Sequence, residues 1–415
     1  MKQGCCIFAG SILLKVMRQF KFLIGLVLLS LSVHAQDAGT AKKDSGTVKK
    51  PGKKELKFEA ADSSFLVKFG ARFQTLYSGE YNFDTDKYAD ELQIRRFRLK
   101  LDGYAFSPKL EYKIELALSN SDMGGRVQPE NNNTANLVLD AVAKWNFAKN
   151  ASLWFGQTKL PGNRERVISS QKLQFVDRSL LNSRYNIDRD LGLQMHHEFE
   201  AGKVVFREAL ALTMGEGRNI TTENKGGYDV TGRIEVLPFG AFTKEGDYSG
   251  ASLERETEPK LAIGLTYDFN RLASRQGGQL GAFFPVRRNL NTLFADAMFK
   301  YRAVSVMAEY ADKRSSGSPV VATDPTGRVT DAFFTGTGFN VQAGYLFDNN
   351  FEIAGRYTTI NPEDLTQRLV NKQYTLGVSK YLKGHTVKMQ SDISLLRERA
   401  ENSNLMYRFQ LEIGF

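Results

Sequence analysis

The sequence predicts an all-β fold, a transmembrane antiparallel β-barrel of about sixteen strands. Apolar and polar residues alternate with a period of two along sixteen segments of about ten residues, the length of a tilted strand that crosses a bilayer. The gaps between these segments also alternate between short and long. This alternation is typical of a barrel with tight turns on one side of a membrane and long loops on the other.

The first and last segments show the residue alternation most clearly. Between residues 65 and 77, apolar side chains occupy one face, and Lys68, Arg72 and Gln74 occupy the other. The last segment, 405–415, ends in an aromatic residue, as strands recognised by the outer-membrane insertion machinery commonly do. Between them we predict fourteen further strands, near residues 92–105, 110–119, 136–147, 152–160, 190–199, 203–214, 228–237, 260–270, 293–302, 303–311, 338–348, 350–358, 372–382 and 385–396.

The connection lengths predict which end of the barrel carries the loops. Short connections lie at 106–109, 148–151, 200–203, 349–350 and 383–384. Long ones lie at 79–91, 120–135, 161–189, 215–227, 271–292, 312–337 and 359–371. One connection, 238–259, is long where a short one is expected. Sixteen strands enclose an aqueous lumen, whereas side chains fill a barrel of eight.

The composition excludes several other classes of protein. With 42% apolar residues, 29 Phe and 16 Tyr, the chain is too rich in core-forming residues to be disordered. A helical membrane protein needs several uncharged runs of about 20 residues, and only one apolar run is present, at the start. A soluble β-sandwich also alternates, but its strands average only about five or six residues.

Residues 1–35 have the order of a secretory signal peptide. A basic stretch precedes an uncharged apolar run at 22–31, and small residues lead to Ala35, after which we predict cleavage. A retained membrane anchor is the alternative, although the apolar run is short for a span. Cys5 and Cys6 lie in this leader, which argues against disulfides, thiolate catalysis and cysteine metal sites in the barrel.

Residues 36–62 differ in composition from the predicted barrel, 63–415. Lysines are scattered there among Ala, Gly, Ser and Thr, and the apolar content is too low to offset the entropy of ordering. We therefore predict a flexible, lysine-rich tether. Without the leader, 52 basic and 46 acidic residues remain, an excess too small to indicate nucleic-acid binding.

If the apolar residues face lipid, the residues of opposite parity line the lumen. This parity places Arg96, Arg98 and Lys100 in a row on the second strand, about 7 Å apart, with Lys113 and Lys144 on later strands. Stacked cations focus a positive potential and favour anions. A second interpretation stays open, in which these cations only pair with inward acids, namely Asp102, Glu111, Glu115, Asp140 and Glu235.

The connection 161–189 is predicted to fold into the lumen. A loop of this length that contains apolar residues such as Leu173, Phe175 and Val176 is expected to pack against the barrel wall. Inside the barrel it would narrow the pore and bring further cations to the constriction, namely Lys159, Arg164, Arg166 and Arg178.

Several motifs follow one another in the first half of the chain. They are Ile94-Arg95-Arg96-Phe97-Arg98-Leu99, Leu110-Glu111-Tyr112-Lys113, Leu139-Asp140-Ala141, Phe155-Gly156-Gln157-Thr158-Lys159-Leu160-Pro161 and Asp177-Arg178-Ser179-Leu180. In their order and spacing over residues 65–240, the sequence resembles the phosphate-selective porin O and P family. The resemblance implies a sixteen-stranded barrel, usually a homotrimer, with the third long loop inside the lumen and basic residues that bind phosphate. The sequence departs from the family in its many inward acids and its moderate basic excess.

The sequence therefore predicts a porin of the bacterial outer membrane, through which small solutes diffuse passively with a bias toward anions such as phosphate. A general or weakly selective porin is the alternative. The expected partners are small anionic solutes and outer-membrane lipid, and we expect no nucleic acid, cofactor or metal ion. The residues expected to line the pore and attract anions are Arg96, Arg98, Lys100, Lys113, Lys144, Lys159, Arg164, Arg166 and Arg178.

An enzymatic role is not expected. A barrel hydrolase needs a histidine beside a nucleophile, and the chain after the leader offers only His196, His197 and His385, without a Gly-x-Ser-x-Gly motif. An energy-coupled receptor needs a plug and 22 strands, for which the chain is too short. A purely structural or adhesive barrel remains open, and conductance in planar bilayers would distinguish it from a porin.

Overall fold

The structure is a computed structural model that describes residues 56–123, 136–220, 227–399 and 401–415. The predicted leader and residues 36–55 of the predicted tether lie outside the described residues. Within the described ranges, no helix has the length and hydropathy needed to cross a membrane.

Nineteen strands and a few short helices make up the described chain. The strands are β1 (Leu56–Glu59), β2 (Phe65–Asn82), β3 (Lys87–Ala105), β4 (Ser107–Ala117), β5 (Val138–Ala148), β6 (Ala151–Lys159), β7 (Arg189–Ala201), β8 (Val204–Thr213), β9 (Asp229–Leu237), β10 (Lys260–Arg275), β11 (Phe283–Tyr301), β12 (Val304–Ser315), β13 (Val320–Thr323), β14 (Val329–Ala332), β15 (Gly336–Leu346), β16 (Phe351–Pro362), β17 (Asn371–Lys383), β18 (Val387–Glu398) and β19 (Glu401–Gly414). The α-helices are α1 (Asn120–Met123), α2 (Arg164–Val167) and α3 (Leu180–Tyr185), and 3-10 turns lie at Ser170–Lys172, Thr243–Tyr248 and Asp364–Thr366.

Sixteen of these strands, β2–β12 and β15–β19, form a closed antiparallel barrel. The pairing of β19 with β2 closes it, from Asn404 opposite Asn82 to Gly414 opposite Arg72. Closure pairs the strand edges that lipid could not hydrogen-bond. The predicted fold class is confirmed, and each of the sixteen predicted segments overlaps one barrel strand.

The predicted parity separates the two faces of the wall. On β10, the outward Ile263, Leu265 and Tyr267 are each about half exposed, whereas the inward Thr266 and Asp268 are buried. The same period of two applies to any strand whose faces meet different solvents, here lipid outside and the lumen inside.

Two predicted long loops are instead extensions of strands. The connection between β2 and β3 covers only residues 83–86, and that between β10 and β11 only 276–282. In the first hairpin, Tyr81 lies opposite Tyr88, and the Tyr77 and Tyr88 hydroxyls are 2.8 Å apart. Such cross-strand contacts continue the ladder past the apolar segments from which strand ends were predicted.

The last residues of the predicted tether form a strand. β1 pairs with residues 66–69 of β2, with Leu56 opposite Phe69. Because β19 ends opposite Arg72, this part of the β2 edge has no barrel neighbour, and β1 covers it. Residues 56–59 therefore belong to a strand, although they precede the predicted barrel boundary at 63.

Residues 160–188, which we call the inner loop, lie inside the barrel. Leu181, Tyr185 and Ile187 are fully buried and pack against Phe294 and Ile360 of the inner wall. Farther along the loop, Ile168 and Leu173 pack against a second apolar area of the wall. Apolar residues at inward wall positions occur where the loop covers them, which replaces contact with water by contact with protein.

Residues 238–259, which we call the inner connector, join β9 to β10 and also pack inside the barrel. Phe242 belongs to the same apolar cluster as Leu173 of the inner loop, and the Gly250 amide donates to the Lys172 carbonyl at 2.8 Å. A Cβ atom on Gly250 would meet the Gln174 amide nitrogen at 2.6 Å, so only glycine allows this approach. The two inner segments, which enter from opposite ends of the barrel, therefore meet in the lumen.

Candidate functional site: the lumen and its charges

A cavity of about 820 Å³, which we call the vestibule, lies between the inner segments and strands β3–β9. The vestibule extends from the short turn at residues 148–151 along β6 to Lys159, where the inner loop begins. Nine basic and five acidic residues line it in the described chain. The basic ones are Arg98, Lys113, Lys144, Lys149, Lys159, Lys172, Arg189, Arg207 and Arg233.

Arg96, the first residue of the predicted cationic row, is buried in an ion pair. Its guanidinium donates to Asp177 of the inner loop at 3.0 Å and to Gln74 at 2.8 Å. A β-bulge inserts Arg95 into the same strand, and Arg95 also donates to Asp177, at 2.9 Å. Burial alone would raise the pKa of Asp177, but Arg96 and Arg95 outweigh it and hold this pKa well below its usual range.

The other two residues of the row, Arg98 and Lys100, also form ion pairs with carboxylates. Arg98 donates to Glu115 at 2.9 Å and to Asp122 of α1, and Lys100 lies 2.7 Å from Asp102. On β4, Lys113 contacts both Glu115 and Asp140. This geometry supports the second interpretation of the row, in which its cations are structural partners of inward acids and of acids in the loops.

Replacing Arg96 by glutamine is expected to destabilise the barrel, because it removes a buried guanidinium and leaves the partly buried Asp177 with one cation fewer. We expect the free energy of unfolding to fall by roughly 3 kcal/mol, measured by urea denaturation of the folded protein in micelles. Lys100→Gln, on the same strand, is the matched control, and its half-exposed ion pair should contribute less than about 1 kcal/mol. Equal effects of the two substitutions would contradict the assigned role of Arg96.

The predicted cations of the inner loop are also held by protein groups. Arg164 is fully buried and contacts Asp296 at 2.7 Å, Glu235 at 3.1 Å and Asp247 at 3.9 Å. These three acids come from the wall strands β11 and β9 and from the inner connector. Arg164 therefore joins the inner loop to the connector and the wall.

Two other inner-loop arginines have simpler contacts. Arg166 is paired with Asp188. Arg178 donates to the carbonyl oxygens of Glu165 at 2.9 Å and Ile168 at 2.7 Å, so it stabilises the fold of the loop itself.

Lys144 and Lys159 line the vestibule and, like Arg178, form no ion pair within 4.0 Å in the described chain. Lys144 Nζ lies 3.7 Å from the centre of the Trp154 ring. Lys159 Nζ donates to the carbonyl oxygens of Val167 at 2.9 Å and Ile168 at 3.2 Å. Carbonyl and ring contacts hold these ammonium groups in place without neutralising them.

The structure thus brings four of the nine predicted residues to the vestibule, namely Arg98, Lys113, Lys144 and Lys159. The other five, Arg96, Lys100, Arg164, Arg166 and Arg178, do not line it. Five other basic residues of the vestibule were not selected as site residues from the sequence, namely Lys149, Lys172, Arg189, Arg207 and Arg233. Inward parity on β8 could have identified Arg207, whereas the position of Lys172 depends on how the inner loop folds.

The three histidines of the described chain have different surroundings. His196 stacks on Trp154 with ring centres 4.0 Å apart, and His197 contacts Glu208 of the neighbouring strand. His385 Nε2 lies 2.8 Å from Ser249 Oγ, but its buried Nδ1 has no hydrogen-bond partner in the described chain. A serine hydrolase needs a third group at that nitrogen. The described residues also contain no cluster of His, Asp and Glu that could hold a metal ion.

Comparison with known proteins agrees with the barrel fold described above. The family model for phosphate-selective porin O and P matches residues 67–408. An uncharacterised protein of Aquifex aeolicus (strain VF5) is 24% identical over 90% of this chain and 92% of its own length. The trimer form of OmpT, an outer membrane protein of Vibrio cholerae, has a TM-score of 0.52 at 11% identity, covering 85% of this chain and 100% of that one. The anion-selective porin from Comamonas acidovorans also has a TM-score of 0.52 at 11% identity, covering 84% and 99%.

Proposed function

Because the chain belongs to the phosphate-selective porin O and P family and is an outer-membrane porin channel, we propose that it carries small anions, phosphate among them, by passive diffusion through the vestibule. The family and the fold point to a channel rather than to an enzyme. The anion-selective porin of similar fold is consistent with this direction of selectivity, although a likeness at 11% identity concerns the fold alone.

The charge of the vestibule is the observation that supports an anion bias. Its lining contains nine basic and five acidic residues, and Lys144 and Lys159 are held only by a ring and by carbonyl groups. A permeating anion could exchange part of its water for contacts with such ammonium groups. Lysine binds as a compact, well-hydrated charge, so these contacts are weak enough for the ion to leave again.

The paired cations limit how strong this bias can be. Arg96, Arg98 and Arg164 are each engaged by one or more carboxylates and contribute little net potential. We therefore propose a moderate preference for anions in place of a tight phosphate ladder. A general porin remains the alternative, and it would show nearly equal permeability to potassium and chloride.

Replacing Lys159 by glutamine tests this proposal. Glutamine is one bond shorter than lysine and keeps an N–H donor, so the substitution removes the charge and retains a polar group. In a salt gradient across a planar bilayer, the anion-to-cation permeability ratio should fall by a factor of about 2 to 5, because a unit charge 4 Å from an ion contributes about 1 kcal/mol in water. Block of the chloride current by inorganic phosphate should weaken as well.

Lys260→Gln is the matched control for this experiment. Lys260 also donates from Nζ to a carbonyl, that of Phe239 at 2.8 Å, but it does not line the vestibule. Its replacement should leave the reversal potential unchanged. If Lys159→Gln also keeps the wild-type reversal potential, the anion path does not pass Lys159 and the general porin is favoured.

We also propose that residues 1–35 direct export and that three copies of the barrel form a homotrimer. The order of basic, apolar and small residues supports the first proposal. Threefold closure by rotation, together with a trimeric neighbour of the same fold, supports the second.

A further inference from the structure

A second, smaller cavity of about 80 Å³ lies between the inner connector, the inner loop and the barrel wall. Lys172 of the inner loop borders both this cavity and the vestibule. Ser249 and Ser252 of the connector, Lys300 of β11 and His385 of the β17–β18 turn also line it. Four separate parts of the chain therefore contribute polar groups to one small space, which we call the connector pocket.

Two cations of the connector pocket, Lys172 and Lys300, form no ion pair within 4.0 Å in the described chain, whereas Lys244 and Arg255 pair with Glu254 and Asp348. Lys300 is only 2% exposed, and its ammonium donates to a single group, the Ala251 carbonyl at 2.6 Å. The Lys172 side chain makes no hydrogen bond or ion pair with the described residues. An ammonium carries three donors, so both lysines have donors to spare, and a buried charge is costly without a counter-ion.

The acidic residues nearby are already engaged. Glu256 accepts hydrogen bonds from the Thr243 amide at 2.7 Å and the Thr243 hydroxyl at 2.9 Å. Glu254 is paired with Lys244 at 2.7 Å. These contacts direct both carboxylates to the connector's own groups, so they do not form ion pairs with Lys172 or Lys300 in the described chain.

His385 is buried close to several of these positive charges. Burial lowers the pKa of its imidazole well below the ordinary value, and Lys388, Lys300 and Lys172 lower it further. The imidazole is therefore neutral near pH 7 and can donate one hydrogen bond. Its Nε2 faces Ser249, and its buried Nδ1 has no partner in the described chain.

We propose that the connector pocket binds one tetrahedral oxyanion of the size of phosphate or sulfate. The oxyanion would accept hydrogen bonds from the Lys172 and Lys300 ammonium groups and from the Ser249 hydroxyl. The Ser252 hydroxyl lines the pocket but already donates to the Arg302 carbonyl at 2.7 Å. Charge-assisted bonds of this kind are the strong ones, and the cavity is several times larger than one water molecule needs. The bound ion would link the inner loop, the inner connector and the wall, and so hold the constriction of the lumen in place.

This site is separate from the diffusion path proposed above, and it does not require that the transported solute is an anion. It is a static site, in which the ion neutralises buried charge and exchanges slowly. Failure of one proposal leaves the other standing, because Lys159 does not border the connector pocket.

Isothermal titration of the full protein in micelles with sodium phosphate and with sodium sulfate tests the site. We expect one class of sites for both ions in a chloride-free buffer. Lys300→Met should weaken binding by about tenfold or more, since hydrogen bonds to charged groups contribute most of the affinity. Lys313→Met is the matched control, because Lys313 is equally buried and donates to the Gly277 carbonyl outside the pocket.

Lys172→Gln provides a second variant, because Lys172 is only partly buried and its replacement should not prevent folding. It should weaken phosphate binding several-fold, in line with the loss of one charge-assisted bond. Crystals soaked in selenate should show an anomalous peak between Lys172 and Lys300. Absence of that peak in wild-type crystals, or unchanged binding in both Lys172→Gln and Lys300→Met, would overturn the proposal.

Discussion

Replacing Arg164 by methionine is expected to release the inner loop and to raise the single-channel conductance. Arg164 is fully buried among Asp296, Glu235 and Asp247. In the methionine variant, only Arg233 and Arg207 would still form ion pairs with these acids. Removing one partner from a buried ion cluster costs about 3–5 kcal/mol, because the remaining charges stay desolvated. The loop is the part that can move to relieve this cost, since the barrel is closed by its own backbone pairing.

Two measurements on the Arg164→Met variant check this expectation. Conductance in planar bilayers should increase, and the urea concentration at which the heat-modifiable barrel is lost should decrease. Arg314→Met is the control, because the Arg314 side chain is 77% exposed in its pair with Asp312. Such surface pairs contribute at most about 1 kcal/mol, so this variant should behave as wild type. A variant at Arg164 with wild-type conductance would show that other contacts hold the loop.

Replacing residues 240–257 of the inner connector by an Asn-Gly turn is expected to produce the larger increase in conductance. Within the connector, Asp247, Ala251 and Phe242 are buried inside the barrel, so their removal vacates lumen volume. β9 and β10 are antiparallel neighbours up to Val236 opposite Ile263, and a short hairpin turn can join them. The polar wall residues that the connector covers would then be hydrated.

The circular dichroism spectrum and heat-modifiable migration of this deletion variant should remain those of a folded barrel, because no barrel pairing is removed. Deletion of residues 324–327, an exposed turn between β13 and β14, is the control and should leave conductance unchanged. Wild-type conductance after removal of the connector would mean that ions pass on the opposite side of the lumen, where the connector does not reach.

The alternation of residue types determined the barrel by itself. Phe97 faces out and Arg96 and Arg98 face in because a strand directs successive side chains to opposite faces, and this rule needs no knowledge of distant residues. The connection lengths predicted the two ends of the barrel, and apolar residues such as Leu173 and Phe175 predicted a packed inner loop. The bulge that brings Arg95 beside Arg96 was not predicted. It shifts the phase of the alternation by one residue, from Leu92 and Ile94 outward to Phe97 outward.

The tertiary structure alone decided which charges are paired. Arg96 meets Asp177 and Arg164 meets Asp296 across 81 and 132 residues of chain, and nothing in the local sequence links these partners. The same holds for the inner connector, whose length at 238–259 is visible in the sequence but whose path into the lumen is not. Ion pairing depends on distances between side chains that closure of the barrel brings together. A count of inward cations therefore overestimates the positive potential. Vestibule lysines without an ion pair in the described chain, such as Lys144, Lys159 and Lys172, can be identified only once the inner segments are in place.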